Sequence, residues 1–377
     1  MQYQSTVFGQ LLKAVPRGWF DREVACHRTG RKERKLSPWG HLVTMVLTQV
    51  SGLRSLRDLE RVVERHPGVL AHLGLDTVRR STLSDANADR PAALFEAVAA
   101  KLSAMLRARG GGTEAIRLID ATRIFAGRKV EDWTGGGGVK LHVVYDSDAA
   151  YPTCFAVTPE RINDITAAKA MPIESGATYV FDKGYYDFAF WARLNDAHCR
   201  FVTRLKINSP THLIEERAGA GDNILFDRIV TLSSRLSSQR RNPYSAPVRL
   251  VGVRIDTGRE LTLVTNDLAA PAAEIAELYK TRWQIELFFK WVKQNLKLSH
   301  FIGTSRNAVV IQIMTALIGY LLLKLASRRY DAGISLQAII RLLPTTLLSR
   351  RPFADLLRPQ DTNMQPPGSL QFELAYA

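Results

Sequence analysis

Three cysteines in 377 residues, Cys26, Cys154 and Cys199, are too few and too scattered for a disulfide framework. No C-x-x-C pair marks a zinc site, and the adjacent pairs Cys26-His27 and His198-Cys199 have no further ligand cluster beside them. A reducing cytoplasm is expected. Long apolar runs are also missing. The longest, Val309 to Leu323, is broken by Gln312 and falls short of the roughly 20 residues a membrane span needs, so it predicts a buried core helix and no membrane role. The N-terminus lacks an apolar segment followed by a small-residue cleavage site, so the chain is expected to stay inside the cell.

Acidic residues are the scarcest relative to need. Asp and Glu number 36 against 51 Lys and Arg, a net charge of +15 and a pI of about 9.9, so the surface attracts polyanions, nucleic acid first among them. Charge alone leaves a merely solvated basic surface open. The hydrophobic share of 46% and charged share of 23% fit a globular chain, and its length predicts two or three domains.

Residues 1–110 read as a helical domain, with apolar helical spacing over Pro38 to Gln49 and over Ser55 to Arg65, Ser55 being an N-cap candidate. Basic residues outnumber acidic ones there by 18 to 10, and Arg31, Lys32, Arg34 and Lys35 concentrate part of the excess. That run suits DNA-end binding; it equally suits a solvated loop. Arg79 to Ser84 opens a further helix that could serve in a helix-turn-helix unit. Glycines 110–112 mark a boundary, beyond which strands are expected at Ile116 to Thr122, Val139 to Tyr145, Tyr151 to Thr158, Thr178 to Asp182 and Arg200 to Leu205. Helices near Asp164 to Met171 and Phe188 to Asn195 intervene. The order βββαβαβ places a meander beside a βαβ crossover in one mixed sheet. Residues 206–268 read as a β-rich insertion, with strands at Ile224 to Leu232, Val248 to Ile255 and Leu261 to Thr265. Long helices follow at Pro271 to Leu298 and Asn307 to Leu325, and residues 331–377 form a C-terminal tail, loosely ordered beyond Arg350. Gly135 to Gly138 precede a strand and lack a phosphate-loop pattern, so they read as a turn.

Asp120 sits within the first strand and Asp182 ends the fourth. Aspartate suits a strand interior poorly, and a buried carboxylate calls for a partner or a metal. If those strands are parallel neighbours, both acids meet at one sheet edge, the outline of a divalent-metal site; each alone would pass for a surface turn residue. In the helix Pro271 to Leu298, Tyr279, Arg282, Glu286, Lys290, Lys293 and Lys297 share one face, beside an apolar face containing Ile285, Phe288, Phe289 and Val292. Basic residues crowding a single glutamate repel one another, and binding phosphates explains them better than a surface salt-bridge ladder.

The spacing Tyr279, Arg282, Glu286, Lys293 is the Y-x-x-R-x-x-x-E-x-x-x-x-x-x-K signature, and with Asp120-Ala121-Thr122 and Asp182-Lys183-Gly184-Tyr185 the chain resembles DDE transposases of bacterial insertion sequences. The resemblance covers most of the chain. It implies a ribonuclease-H-like catalytic core, residues 111–205 and 269–330, interrupted by the insertion at 206–268 and preceded by an end-binding domain. It implies Asp120, Asp182 and Glu286 as catalytic and metal-binding carboxylates holding two Mg²⁺ ions, with Mn²⁺ able to substitute. Tyr279, Arg282, Lys290, Lys293 and Lys297 would hold DNA with Arg31, Lys32, Arg34 and Lys35. The implied partners are the inverted repeats of a mobile element, target DNA and further copies of the chain, on a bacterial nucleoid. A nuclease that cuts without joining, or a catalytically silent DNA-binding remnant, remains the alternative. Relatives that cut through a hairpin often hold a flipped base with tryptophan; residues 206–268 contain none, leaving Phe226 or Tyr244 to substitute. His142 reads as a core or edge histidine.

Overall fold

The computed structural model describes residues 5–27, 36–75, 77–107, 115–125, 138–219, 221–235, 240–296, 298, 301–331 and 333–358. The run Arg31, Lys32, Arg34, Lys35 and also Lys297 lie outside them.

Among the described residues, seven α-helices precede the first strand: α1 (Val7–Leu12), α2 (Arg17–Cys26), α3 (Pro38–Ser51), α4 (Leu56–Arg65), α5 (Pro67–Leu70), α6 (Arg80–Asp89) and α7 (Ala93–Arg107). Their starts follow capping chemistry. The Ser37 hydroxyl accepts from the Gly40 N–H at 2.9 Å with Pro38 in the first turn, and α3 stops at Gly52, whose φ of 71° a side chain would oppose. Ser55 does cap α4, accepting from the Asp58 N–H at 3.1 Å while donating its hydroxyl to the Asp58 carboxylate at 2.7 Å.

Strands β1 (Ile116–Phe125), β2 (Gly138–Asp146) and β3 (Tyr151–Pro159) form the expected meander. Then come α8 (Asp164–Ala170), β4 (Thr178–Phe181), α9 (Phe188–Asp196) and β5 (Arg200–Arg204). Four more strands follow: β6 (Thr211–Arg217), β7 (Ile224–Leu232), β8 (Val248–Arg254) and β9 (Glu260–Thr265). All nine join one sheet in the order β3-β2-β1-β4-β5-β9-β8-β7-β6. β1 runs antiparallel to β2 and parallel to β4, and β5 runs parallel to β4. This five-strand pattern is the ribonuclease-H-like arrangement. Residues 206–268 therefore extend the sheet, because β9 hydrogen-bonds the free edge of β5. Sequence periodicity misses β6, since its middle residues are exposed on both faces and no alternation toward a core exists.

The helical face is built from α10 (Ala272–Thr281), α11 (Trp283–Asn295), α12 (Arg306–Arg329), α13 (Leu336–Thr346) and α14 (Phe353–Leu357). The expected single helix Pro271 to Leu298 is interrupted at Arg282. The Thr281 hydroxyl takes the Leu278 carbonyl at 2.7 Å, and Arg282 N–H bonds Tyr279 O at 3.2 Å, a tighter i to i−3 turn than the α-helix uses. Helix α12 is long and apolar enough to cross a membrane, but it is buried within the fold, where it packs against α3, α6 and α7. Its fully buried leucines each contribute on the order of 2 kcal/mol through area removed from water. The largest buried cluster runs from Val7 through α7, β1, β2 and α12 to Leu357, so the N-terminal helices and the sheet share one core. Chain beyond Arg350 takes part as well: Phe353 of α14 is fully buried.

Candidate functional site

The parallel register of β1 and β4 sets Ile119 opposite Phe181, and that of β4 and β5 sets Val180 opposite Val202. Continued toward the carboxyl ends, the same register lines up Asp120, Asp182 and Arg204 in one row across three neighbouring strands. Strand residues in register point to one face, so these groups share an edge of the sheet. Arg204 carried no motif in the sequence; its signal is a basic residue closing the strand beside the one that Asp182 closes.

Helix α11 packs across β1 and brings the third acid. An open cavity of about 370 Å³ is lined by Asp120, Ala121, Thr122, Glu286, Phe289, Lys290, Lys293 and Gln294. Asp120, Glu286, Lys290 and Lys293 are thus brought together as the helical stripe predicts. Tyr279 and Arg282 stand at the α10–α11 break. The Tyr279 hydroxyl donates to Asp182 Oδ1 at 3.4 Å, and Arg282 Nη1 lies 2.6 Å from Glu286 Oε1 and within cation–π range of the Tyr279 ring, 5.7 Å.

The electrostatics of the two aspartates differ. Burial pushes the Asp120 carboxyl up to about 6; the Ala121 N–H, bonded at 2.8 Å, and Arg282 oppose this, while the Glu286 and Asp182 charges add to it. Asp182 is held below the usual carboxylate range: burial acts to raise it, but the Lys183 N–H at 2.6 Å and the Arg204 guanidinium, with Nε at 2.7 Å, outweigh it. Burial raises the Tyr279 phenol to about 12. Arg282 Nε is buried and has no hydrogen-bond partner, so the guanidinium has a donor left over after its pairing with Glu286. Among the described residues, no three His, Cys, Asp or Glu side chains are gathered closely enough to bind one metal ion as they stand. Asp182 and Glu286 are engaged by arginines.

Two expectations about neighbouring residues are settled by burial. His142 stands opposite Ala121 on β2, almost fully buried, with Nε2 2.8 Å from the Thr158 hydroxyl, and burial lowers it to about 4, so it stays neutral. Tyr244 is buried among Trp191 and Phe201 and is core, not a surface for a displaced base. Phe226 stacks beneath the Arg228 guanidinium, 4.8 Å from ring centre to carbon, and against Gly252.

A family model described as the transposase DDE domain matches residues 111–322, more than half of the chain. The chain belongs to the DDE transposase family. A second model, described as a domain of unknown function (DUF4372), matches residues 3–76 of this transposase. A Sinorhizobium fredii protein named as a transposase, y4zB, is 38% identical over 292 residues, 74% of this chain and 81% of the relative. A Geobacillus stearothermophilus protein, named as a transposase for insertion sequence element IS5377, is 30% identical over 55% of this chain and 56% of its own length. A Synechocystis protein, named as a transposase for insertion sequence element IS4SA, is 30% identical over 48% of this chain and 50% of its own length. This transposase thus spans about half the length of the latter two. Among solved structures it is similar to the piggyBac transposase in a synaptic complex with hairpin DNA, with a TM-score of 0.48 and 12% identity, over 93% of this chain and 80% of that one.

Proposed function

We propose that this transposase binds the ends of a mobile DNA element, cleaves them, and joins the freed 3′-hydroxyl ends to target DNA, with Asp120, Asp182 and Glu286 as its catalytic carboxylates. The observation that carries this reading is the parallel register aligning Asp120 with Asp182, beside a cavity that Asp120 shares with Glu286, Lys290 and Lys293. Residues 1–110 then act as the end-binding unit, 111–205 and 269–330 as the catalytic core, and 206–268 as an insertion.

The residues fit a hard divalent cation. Three carboxylates form an all-oxygen donor set of the kind Mg²⁺ takes, Mn²⁺ substituting. When bound, the cation supplies Lewis acidity toward a phosphoryl oxygen and neutralises charge developing there. Asp182 and Glu286 would hold the cation in place of their present pairing with Arg204 and Arg282, and those guanidinia would then be available to a phosphate beside the acids. Arg282, with its unpaired Nε, can then hold a phosphate by two parallel donors, while Lys290 and Lys293 act as point charges along the cavity rim. Tyr279, whose hydroxyl now donates to Asp182, would give that one O–H to the DNA backbone in place of this long contact. Apolar Phe289 walls one side of the cavity.

The test is a cleavage and strand-transfer assay with the full chain, a duplex carrying the element end, and a supercoiled target plasmid, with Mg²⁺ or with chelator. Metal-dependent 3′ nicking followed by joined product is expected. Nicking without joining favours a nuclease, and end binding without nicking favours a silent remnant.

A further inference from the structure

A second, larger opening of about 660 Å³ lies between the starts of α4 and α6 and the chain just after α11, and its walls are chemically one-sided. Arg54, Arg57 and Arg80 line it together with Ser55, Ser81 and Ser84. The three arginines are exposed, and none makes a side-chain hydrogen bond or ion pair with another described residue. Contrast the neighbour: Arg79 spends its charge on Glu64 at 3.2 Å and Glu60 at 3.8 Å, tying the start of α6 to α4. The Arg80 backbone N–H strengthens that tie at Glu60, 3.2 Å, and leaves its guanidinium free. Among the described lining residues Asp85 is the one acid, so positive charge prevails there three to one. Guanidinium forks between small hydroxyl residues are a general way to hold phosphate oxygens: the forks bind bidentately, the hydroxyls donate single bonds, and small side chains let a bulky polyanion approach.

The opening borders the chain that follows α11. Its third wall is Phe301 and Ile302, a few residues beyond the end of that helix, and the Ile302 N–H is anchored by buried Gln312 of α12 at 2.9 Å. Leu296, closing α11, and Val50, near the end of α3, both pack at Gly319, where a Cβ would meet them at 3.7 and 3.5 Å. The end of α11 that carries Lys293 is thereby joined to the α3 end that leads into Arg54.

We infer that this groove, formed by Arg54, Arg57 and Arg80 with Ser55, Ser81 and Ser84, is a second DNA contact that grips the sugar–phosphate backbone of the duplex away from the reacting end. The inference rests on the reading of the chain as a DNA-cutting and DNA-joining enzyme. The groove's role there is to fix register, since phosphate contacts position a duplex without reading bases.

The test uses the full chain and a fluorescein-labelled mixed-sequence duplex about three helical turns long, titrated by anisotropy at several salt concentrations. The triple variant Arg54→Ala, Arg57→Ala, Arg80→Ala should weaken binding about tenfold or more and lower the salt slope by about 2 to 3, close to 0.9 per lost phosphate contact. The corresponding triple lysine variant should keep most of the slope, because it keeps the charge. All three positions are exposed, so folding is not at stake. A photo-crosslinker on Ser84→Cys should attach to the duplex. An unchanged slope in the alanine variant, or absence of crosslinking while the parent binds, overturns the groove and leaves the catalytic reading standing. A parent chain with no salt-dependent duplex binding at all overturns both.

Discussion

Arg282 Nη1 stands 2.6 Å from Glu286 Oε1, four residues along the chain and across the break between α10 and α11, with the arginine side chain 17% exposed. So little exposure makes the pair stronger than a surface i,i+4 contact, and it sits where a phosphate oxygen and a cation would each take one partner.

Arg282→Ala should therefore lower cleavage on the order of a hundredfold while duplex binding falls only slightly, since the loss falls on positioning at the reacting phosphate. Arg282→Lys should recover part of the rate, keeping charge without the fork. Single-turnover cleavage beside gel-shift affinity measures both, and a fully active alanine variant would remove Arg282 from the site.

Glu286→Gln preserves shape and hydrogen bonding but deletes the charge. Cleavage and strand transfer should both fall by on the order of a hundredfold or more, because one set of carboxylates serves both reactions. End binding should survive, or tighten slightly as repulsion of phosphate is removed. Near-parental nicking by the folded variant would show that the carboxylates proposed here do not form the catalytic set.

Beneath the extended sheet, Asp227 and Arg249 form a two-bonded pair at 2.8 and 2.6 Å, each side chain 4% exposed. Asp227→Ala should cost about 3 to 5 kcal/mol by leaving a buried guanidinium without its partner, whereas replacing both by Leu and Met should cost far less. Urea unfolding reads the difference; a single-variant loss under about 1 kcal/mol contradicts the account.

His41 of α3 is fully buried, bonded through Nε2 to the Asn87 side chain at 2.7 Å, and burial lowers it to about 3. The unfolded imidazole takes a proton near 6.5 while the folded one resists until about 3, so the unfolded state binds more protons between those values. Stability is fully present above 6.5 and drains as pH falls toward 3, by roughly 3 kcal/mol at pH 4 from this group alone. His41→Gln should flatten the melting temperature across pH 6.5 to 4. Parallel curves for variant and parent would assign the acid sensitivity elsewhere.

The sequence by itself determined the alternation of strands and helices through β5, the helix cap at Ser55, the burial of α12, and the candidates Asp120, Asp182 and Glu286. Those are local matters: periodicity, turn chemistry and acids misplaced in apolar strands are all carried by neighbours in the chain. Only the tertiary structure decided that β1 and β4 are parallel neighbours in a register aligning the two aspartates, because strand pairing is a contact between segments some 60 residues apart. It alone disclosed Arg204 against Asp182, the halt of the helix at Arg282, and the attachment of residues 206–268 to the β5 edge. Tyr244 shows the limit from the other side. An aromatic residue in a polar stretch reads as available, but the ring is buried between Trp191 and Phe201, which the insertion covers only once it folds back on the sheet. Arg54, Arg57 and Arg80 likewise converge only because α4 pairs with α6 and the chain after α11 closes the third wall. Shared walls of this kind depend on long-range packing, which no local pattern encodes.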